Sequence, residues 1–173
     1  MKVDEWEQHI AAFWERFTAE PSDSAAWVDE LDALALLCPA SDGRSDFERA
    51  GIRDSTGRTA AAVEYYEAGV ASGLDDVRTA RTFVQLASSK RVIGELQSAL
   101  ALIERADPHA LGGAPSVVRA LTLLDLGRDD EALRVAIEAL VPHLPRYQRS
   151  MANYARMLTE PAEVETEDPR EAD

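Results

Sequence analysis

A cluster of arginines and short polar side chains is the feature of this sequence best suited to binding chemistry. Its members follow one another at spacings of three and four residues: Arg81, Gln85, Ser88 and Arg91. In a helix, side chains at these spacings share one face. Because a guanidinium offers paired donors that match a carboxylate, this face is suited to bind a carboxylate or an acidic peptide.

The chain offers little that would support catalysis. Its three histidines, His9, His109 and His143, are far apart, and none has metal-ligand spacing to another His or Cys. Cys38, the single cysteine, has no histidine near it in sequence and is interpreted as a small apolar residue. Phosphate-binding loops, dinucleotide fingerprints and nucleophile elbows are absent from the sequence. We therefore expect no enzymatic activity, no cofactor and no metal ion.

Charge and hydropathy exclude further classes of partner. The 173 residues include 18 Lys and Arg against 32 Asp and Glu, a formal net charge of -14, so a nucleic acid would be repelled. The first residues are acidic and lack the apolar segment of a signal peptide. No apolar run approaches the ~20 residues needed to cross a bilayer. These features predict a soluble cytoplasmic protein with no membrane partner.

An internal repeat organises the middle of the chain around Gly57, Gly94 and Gly127, which stand 37 and 33 residues apart. The positions seven before, five after and twelve after each glycine all hold small residues: Ala50, Ala62 and Gly69; Ala87, Ala99 and Ala106; Ala120, Ala132 and Ala139. Glycine permits a tight turn, and small residues let two helices approach closely. The pattern predicts three helical hairpins that stack on one another.

A hairpin of roughly 34 residues with this pattern resembles the tetratricopeptide repeat. The second copy matches best, with large and small apolar residues at the expected places: Phe83, Leu86, Ala87, Ala99, Ile103 and Ala106. The first copy departs from the pattern, because Arg49 stands at a normally apolar position. The stretch from about Phe47 to Tyr154 also looks like one bacterial family of such repeats, on four segments: 54–57, 85–88, 126–128 and 144–147. The resemblance implies an all-α, right-handed α-solenoid of about three hairpins.

In such a solenoid the first helix of each hairpin lines a concave groove. The resemblance therefore implies that the groove residues are Arg81, Val84, Gln85, Ser88, Arg91, Leu121 and Asp54. A structural interpretation stays open beside this one, because Asp54 precedes Arg91 by one repeat and an ion pair between them would simply fix the stacking. Arg146 and Arg149 would add positive charge at the end of the groove.

Amphipathic segments flank the repeats on both sides. Residues 1–43 are expected to form a capping hairpin through two apolar stripes: Trp6, Ile10, Phe13 and Phe17, then Trp27, Leu31, Leu34 and Leu37. Residues 44–159 are expected to hold the repeats and a last capping helix, which begins near Pro145 and buries Tyr147, Met151, Tyr154 and Leu158. Residues 160–173 are rich in Glu, Asp and Pro and are expected to form a disordered acidic tail.

The sequence thus favours a non-catalytic adaptor that binds a protein or peptide partner in the concave groove, with an acidic segment as one candidate. A second hypothesis places the acidic tail in its own or a neighbour's groove until a partner displaces it. A third is a homo-oligomeric structural protein, such as a homo-dimer, assembled through the aromatic N-terminal hairpin, with Trp14 extending the contact surface.

Overall fold

The described part of the molecule consists mainly of helices packed in chain order. A computed structural model describes residues 1–19, 24–107 and 110–160, and these ranges contain nine α-helices and no strand. The helices are α1 (Val3–Ala19), α2 (Ser24–Leu36), α3 (Arg44–Ser55), α4 (Thr59–Ser72), α5 (Asp76–Val92), α6 (Leu96–Ile103), α7 (Ala114–Asp125), α8 (Asp129–Leu140) and α9 (Gln148–Met157). Each packs mainly against its neighbours in sequence, with α3–α4, α5–α6 and α7–α8 as the closest pairs. The expected all-helical solenoid of three hairpins is confirmed.

The three repeat glycines end the first helix of each hairpin in the same way. Gly57, Gly94 and Gly127 have φ angles of 75°, 86° and 72°, which L side chains rarely adopt. The next residue then donates its backbone N–H to the carbonyl five residues earlier, from Arg58 to Arg53 at 2.8 Å and equivalently in the other two copies. This is the glycine-terminated helix end that turns the chain into the following helix.

Small residues lie where the paired helices cross, as the repeat predicts. Ala50, Ala62, Ala87 and Ala99 are completely buried, and Ala132 is nearly so. A side chain without γ atoms lets two helix backbones approach closely. The degenerate first copy still forms a full helix, in which the largely buried Arg49 guanidinium lies 3.5 Å from an Asp32 carboxylate oxygen and 3.8 Å from one of Asp46.

The hydrophobic core between α1 and α8 consists of three clusters. The first joins α1 and α2 to Ile52 of α3, the second joins α3 and α4 to Leu86 of α5, and the third connects α5 through α8 around Leu123. Each cluster thus includes residues of the next hairpin. This is the nearest-neighbour packing of a helical repeat protein.

The N-terminal hairpin packs through aromatic rings and differs in detail from the sequence prediction. Trp6 and Phe13 are completely buried, and the Trp6 indole donates a hydrogen bond to the Leu34 carbonyl at 2.8 Å. Leu37 was expected in the same stripe but is 60% exposed, because α2 ends at Leu36 and the chain leaves the helical register there. Trp14 was proposed as an outward contact surface; its indole points inward and donates to Glu48 Oε2 at 2.7 Å.

The last helix also departs from its prediction. It begins at Gln148, not at Pro145, because Tyr147 adopts a φ of 67° immediately before it. Ala155 is buried and Met151 and Leu158 are half-buried, whereas Tyr147 and Tyr154 lie exposed. The expected four-residue apolar face is therefore only half used for packing.

Some sequence predictions fall on residues outside the described ranges, and others concern metal sites and membrane-spanning helices. The acidic tail beyond Glu160, and His109, lie outside the described ranges. Among the described residues, no cluster of His, Cys, Asp or Glu is arranged to hold a metal ion. None of the helices in these ranges combines the length and apolar character needed to span a bilayer.

Candidate partner-binding groove

Helix α5 carries most of the predicted groove residues and is positioned by a well-formed N-terminal cap. The Asp75 side chain accepts a hydrogen bond from the Arg78 backbone N–H at 2.8 Å, which satisfies one of the free amides of the first turn. On the face that α5 leaves open, Arg81 is exposed, and Val84, Gln85 and Ser88 are half-buried. The opposite face is packed into the core by Leu86, Ala87 and Ser89, among others.

Arg91 lies on this face of α5, but its partner is not the predicted one. Its Nε atom forms an ion pair with Asp125 Oδ2 of α7 at 2.6 Å. Asp54 instead accepts a hydrogen bond from Ser89 Oγ at 3.0 Å. Burial raises the pKa of the Asp54 carboxyl above its ordinary value, and the Ser89 hydrogen bond partly opposes the shift. Of the two alternatives left open by the sequence, an Arg91–Asp54 ion pair is therefore not formed, because each residue contacts the first helix of the hairpin that follows its own.

Arg78, adjacent to the predicted cluster, directs its terminal guanidinium nitrogens at carboxylates of the same chain. Its guanidinium contacts Glu7 of α1 at 2.7 Å, Asp75 at 2.7 Å and Glu48 of α3 at 3.5 Å. The contact with Glu7 joins helices that lie two hairpins apart. Arg78 consequently fixes the N-terminal hairpin on the repeats and offers no free charge to a ligand.

Arg81 is the cation of the α5 cluster that remains open to a ligand. Its guanidinium lies over the Phe47 ring, 5.1 Å from the centroid, and the side chain is exposed. Within the described ranges it forms no ion pair with a carboxylate. Arg81 can therefore bind an incoming carboxylate while the Phe47 ring holds its guanidinium in place.

Helix α7 supplies an exposed apolar face beside α5. Val117, Leu121 and Leu124 are 55%, 40% and 52% exposed, and their spacing of four and three residues aligns them along the helix. We call these three residues the α7 stripe. Contiguous exposed apolar surface of this kind marks interaction sites in soluble proteins. Since α5 and α7 pack together and are joined by the Arg91–Asp125 pair, the stripe extends the open face of α5.

The sequence identified only Leu121 of this stripe. Val117 and Leu124 could not be found from hydropathy, because the opposite side of α7 is also apolar and buries Val118 and Leu123. A helix that is apolar on both sides does not reveal by periodicity which side faces the core. The repeat register would have found the stripe, since Leu121 and Leu124 stand 33 residues after Ser88 and Arg91.

The same register reaches α9. Tyr154 and Met157 stand 33 residues after Leu121 and Leu124, and both are 60% exposed. By register, α9 takes the place of the first helix of a fourth hairpin. Its two exposed apolar side chains therefore correspond to the groove positions of α7.

Beneath the open face of α5 lies a polar layer that is only partly satisfied. Gln85 Oε1 and the fully buried Tyr66 hydroxyl have no hydrogen-bond partner within the described residues. Burial raises the pKa of the Tyr66 phenol, and the nearby Asp54 and Glu48 carboxylates act in the same direction. Gln85 was predicted to face a ligand, but this acceptor oxygen is directed away from solvent.

The comparison with protein families agrees with this geometry. A family model described as tetratrico peptide repeat matches residues 43–158. The chain belongs to the tetratricopeptide repeat family. The match runs from the residue before α3 to the residue after α9, so the aromatic hairpin of α1 and α2 lies outside it. No curated protein and no solved structure matches the chain. Tetratricopeptide repeats generally mediate protein–protein interaction.

Proposed function

We propose that this tetratricopeptide repeat protein is a non-catalytic adaptor that holds a segment of a partner protein against the open faces of α5 and α7. The observation that carries the proposal is the α7 stripe, three large apolar side chains that the fold exposes side by side. Removal of these side chains from water lowers the free energy by about 25 cal/mol for every Å² of apolar surface buried. A partner that covers the stripe would therefore be bound in part by this hydrophobic effect.

The charges beside the stripe indicate what else the partner carries. Arg81 forms no ion pair within the part of the chain that the structure describes, whereas Arg78 and Arg91 are already matched by carboxylates of the same chain. The preferred segment therefore combines apolar side chains for the stripe with a carboxylate for Arg81. The structure thus restricts the chemistry of the partner segment more than the four-residue polar cluster of the sequence does.

The alternative of a homo-oligomer built on the aromatic hairpin receives no support from these contacts. Trp6 and Phe13 are enclosed by the hairpin itself, and the Trp14 indole is directed at Glu48. Rings that are already packed within one chain offer little apolar surface to a second copy.

Affinity capture from the native host tests the proposal. We expect Leu121→Asp to lose the partners that the unchanged chain retains, because a carboxylate would have to be desolvated in the apolar contact. Leu133→Asp is the matched control, since Leu133 is a 51% exposed leucine on α8, outside the groove. Thermal unfolding of both variants checks that they stay folded. Retention of the same partners by Leu121→Asp would refute the groove assignment.

A further inference from the structure

A separate concavity lies between the second helices of the first two hairpins. It encloses about 490 Å³ between α4 and α6, with α5 as its floor. Its apolar lining includes Val70 and Ala71 of α4, Phe83 and Leu86 of α5, and Ala101 and Leu102 of α6. Small-molecule sites in proteins are mostly apolar clefts of about 300–1,000 Å³ with a few polar groups. We call this concavity the α4–α6 cleft.

The cleft exists because the facing walls carry short side chains. Ala71 on α4 and Ser98 and Ala101 on α6 stand where larger residues would close the space. Helix α6 is also brief, with eight residues against fourteen in α4. The floor beneath them is well packed, since Leu86 is 4% exposed. The result is a stable apolar surface with room above it.

Two cations line the cleft, and they differ in the ion pairs that they form with described residues. Lys90 Nζ is held by Glu67 Oε1 at 2.7 Å and by Glu95 Oε2 at 2.9 Å. Arg105 is exposed, lies over the Phe83 ring at 5.2 Å from the centroid, and has no ion pair among the residues that the structure describes. Arg105 thus lies beside the apolar floor, where it could bind the charged end of a ligand whose hydrocarbon part rests on the floor.

We propose that the α4–α6 cleft binds an aliphatic carboxylate, with the hydrocarbon chain on the floor and the carboxylate paired with Arg105. The apolar lining favours a hydrocarbon over a sugar or a nucleotide, which would leave polar groups unpaired. The free guanidinium favours an acid over an alcohol or an amine. Lys90 keeps its two carboxylate partners in this complex. This site is independent of the groove on α5 and α7.

Titration of the full chain with decanoate, below the concentration at which it forms micelles, tests the proposal by amide NMR. We expect saturable shifts at Ala71, Leu86 and Ala101, and about fivefold weaker binding of decanol, which corresponds to the loss of one exposed ion pair. Absence of saturable shifts around the cleft, or shifts confined to other helices, would overturn the proposal.

Two substitutions separate the hydrocarbon site from the carboxylate site. Ala101→Leu should abolish decanoate binding by filling the cleft, whereas Ala68→Leu, at an exposed alanine of α4 outside the lining, should leave it intact. Arg105→Gln should bring decanoate affinity down to that of decanol, and Arg58→Gln, at an exposed arginine of the α3–α4 turn, should not. Unchanged binding by Ala101→Leu would reject the cleft, and an unchanged preference for the acid in Arg105→Gln would reject the assigned anchor.

Discussion

Trp14 of α1 donates a hydrogen bond to Glu48 of α3 and so helps to join the N-terminal helix to the repeats. Glu48 is only 5% exposed, yet it is a carboxyl group on the inner side of α3. Burial raises its pKa above the ordinary value, and the Trp14 indole N–H and the Arg78 guanidinium partly offset this effect. Sequence reasoning could not find the pair, because its members are 34 residues apart and neither sits in a motif.

The raised pKa of Glu48 predicts a pH dependence of stability. The folded protein keeps this proton to a higher pH than the unfolded chain does, so the stabilising contribution is complete below the ordinary pKa of 4.5 and is lost as pH rises through the raised value. Glu48→Gln cannot ionise and does not incur this loss. We therefore expect the free energy of unfolding of the variant to improve relative to the unchanged chain between about pH 4 and pH 7.

Urea unfolding of both proteins across this range measures the effect. Glu64→Gln, at an exposed glutamate of α4, serves as the control and should show no comparable trend. A Glu48→Gln variant that becomes relatively less stable as pH rises would show that the ionised carboxylate is the favoured form.

Arg81 is the residue on which the acidic preference of the groove depends. Once the partner segment has been captured, Arg81→Gln should weaken its binding by about fivefold, the value of a largely exposed ion pair. The loss should shrink at high salt, because counterions screen exposed charges. Calorimetric titration at two salt concentrations measures both effects, with Arg58→Gln as the charge-matched control. If the Arg81→Gln variant bound the segment as tightly as the unchanged chain, the partner would not bind through a carboxylate at Arg81.

At the scale of elements, the junction between the N-terminal hairpin and the repeats depends on two glycines. Gly43 precedes α3 with a φ of 74°, and a Cβ atom added to it would lie 2.3 Å from the Gly69 carbonyl oxygen in α4. Gly69 was predicted as a small repeat residue. The role of Gly43 was not predicted, because its closest contact, Gly69, lies 26 residues away and no local sequence pattern indicates it.

This contact makes a specific stability prediction. Gly43→Ala should cost at least about 3 kcal/mol in the free energy of unfolding, because the clash is with backbone that cannot rotate away. Gly73→Ala is the matched control, since its φ of 86° is also positive but nothing lies within 4 Å of the added Cβ. It should cost only about 1–2 kcal/mol for the left-handed backbone.

Chemical denaturation of the two glycine variants compares the costs directly. A result in which both substitutions cost the same would show that backbone conformation alone matters and that the packing of Gly43 on α4 contributes nothing.

At the scale of the whole molecule, the repeat was predictable and the binding surface was predictable only in part. Glycine turns and small crossing residues recur at a fixed period, and each acts through local geometry. The state of each arginine depends on residues from other hairpins, as with Glu7 and Arg78 or Asp125 and Arg91. A sequence shows where the cations lie along a helix but not which of them the fold has already neutralised.

The same limit applies to the apolar groove residues. Leu121 could be assigned from the family resemblance, whereas Val117 and Leu124 were separated from the core residues of α7 only by the packing of α8 and α5. What the fold leaves exposed is therefore the most informative part of the structure for function.

Site-specific photo-cross-linking in the native host tests the central claim most directly. A photoreactive phenylalanine replaces Leu121 or Leu124 in the α7 stripe, and Leu133 on α8 in the control. The account predicts that both stripe positions cross-link to the same partner protein and that position 133 does not. Cross-links to that partner from position 133, with none from the stripe, would contradict it.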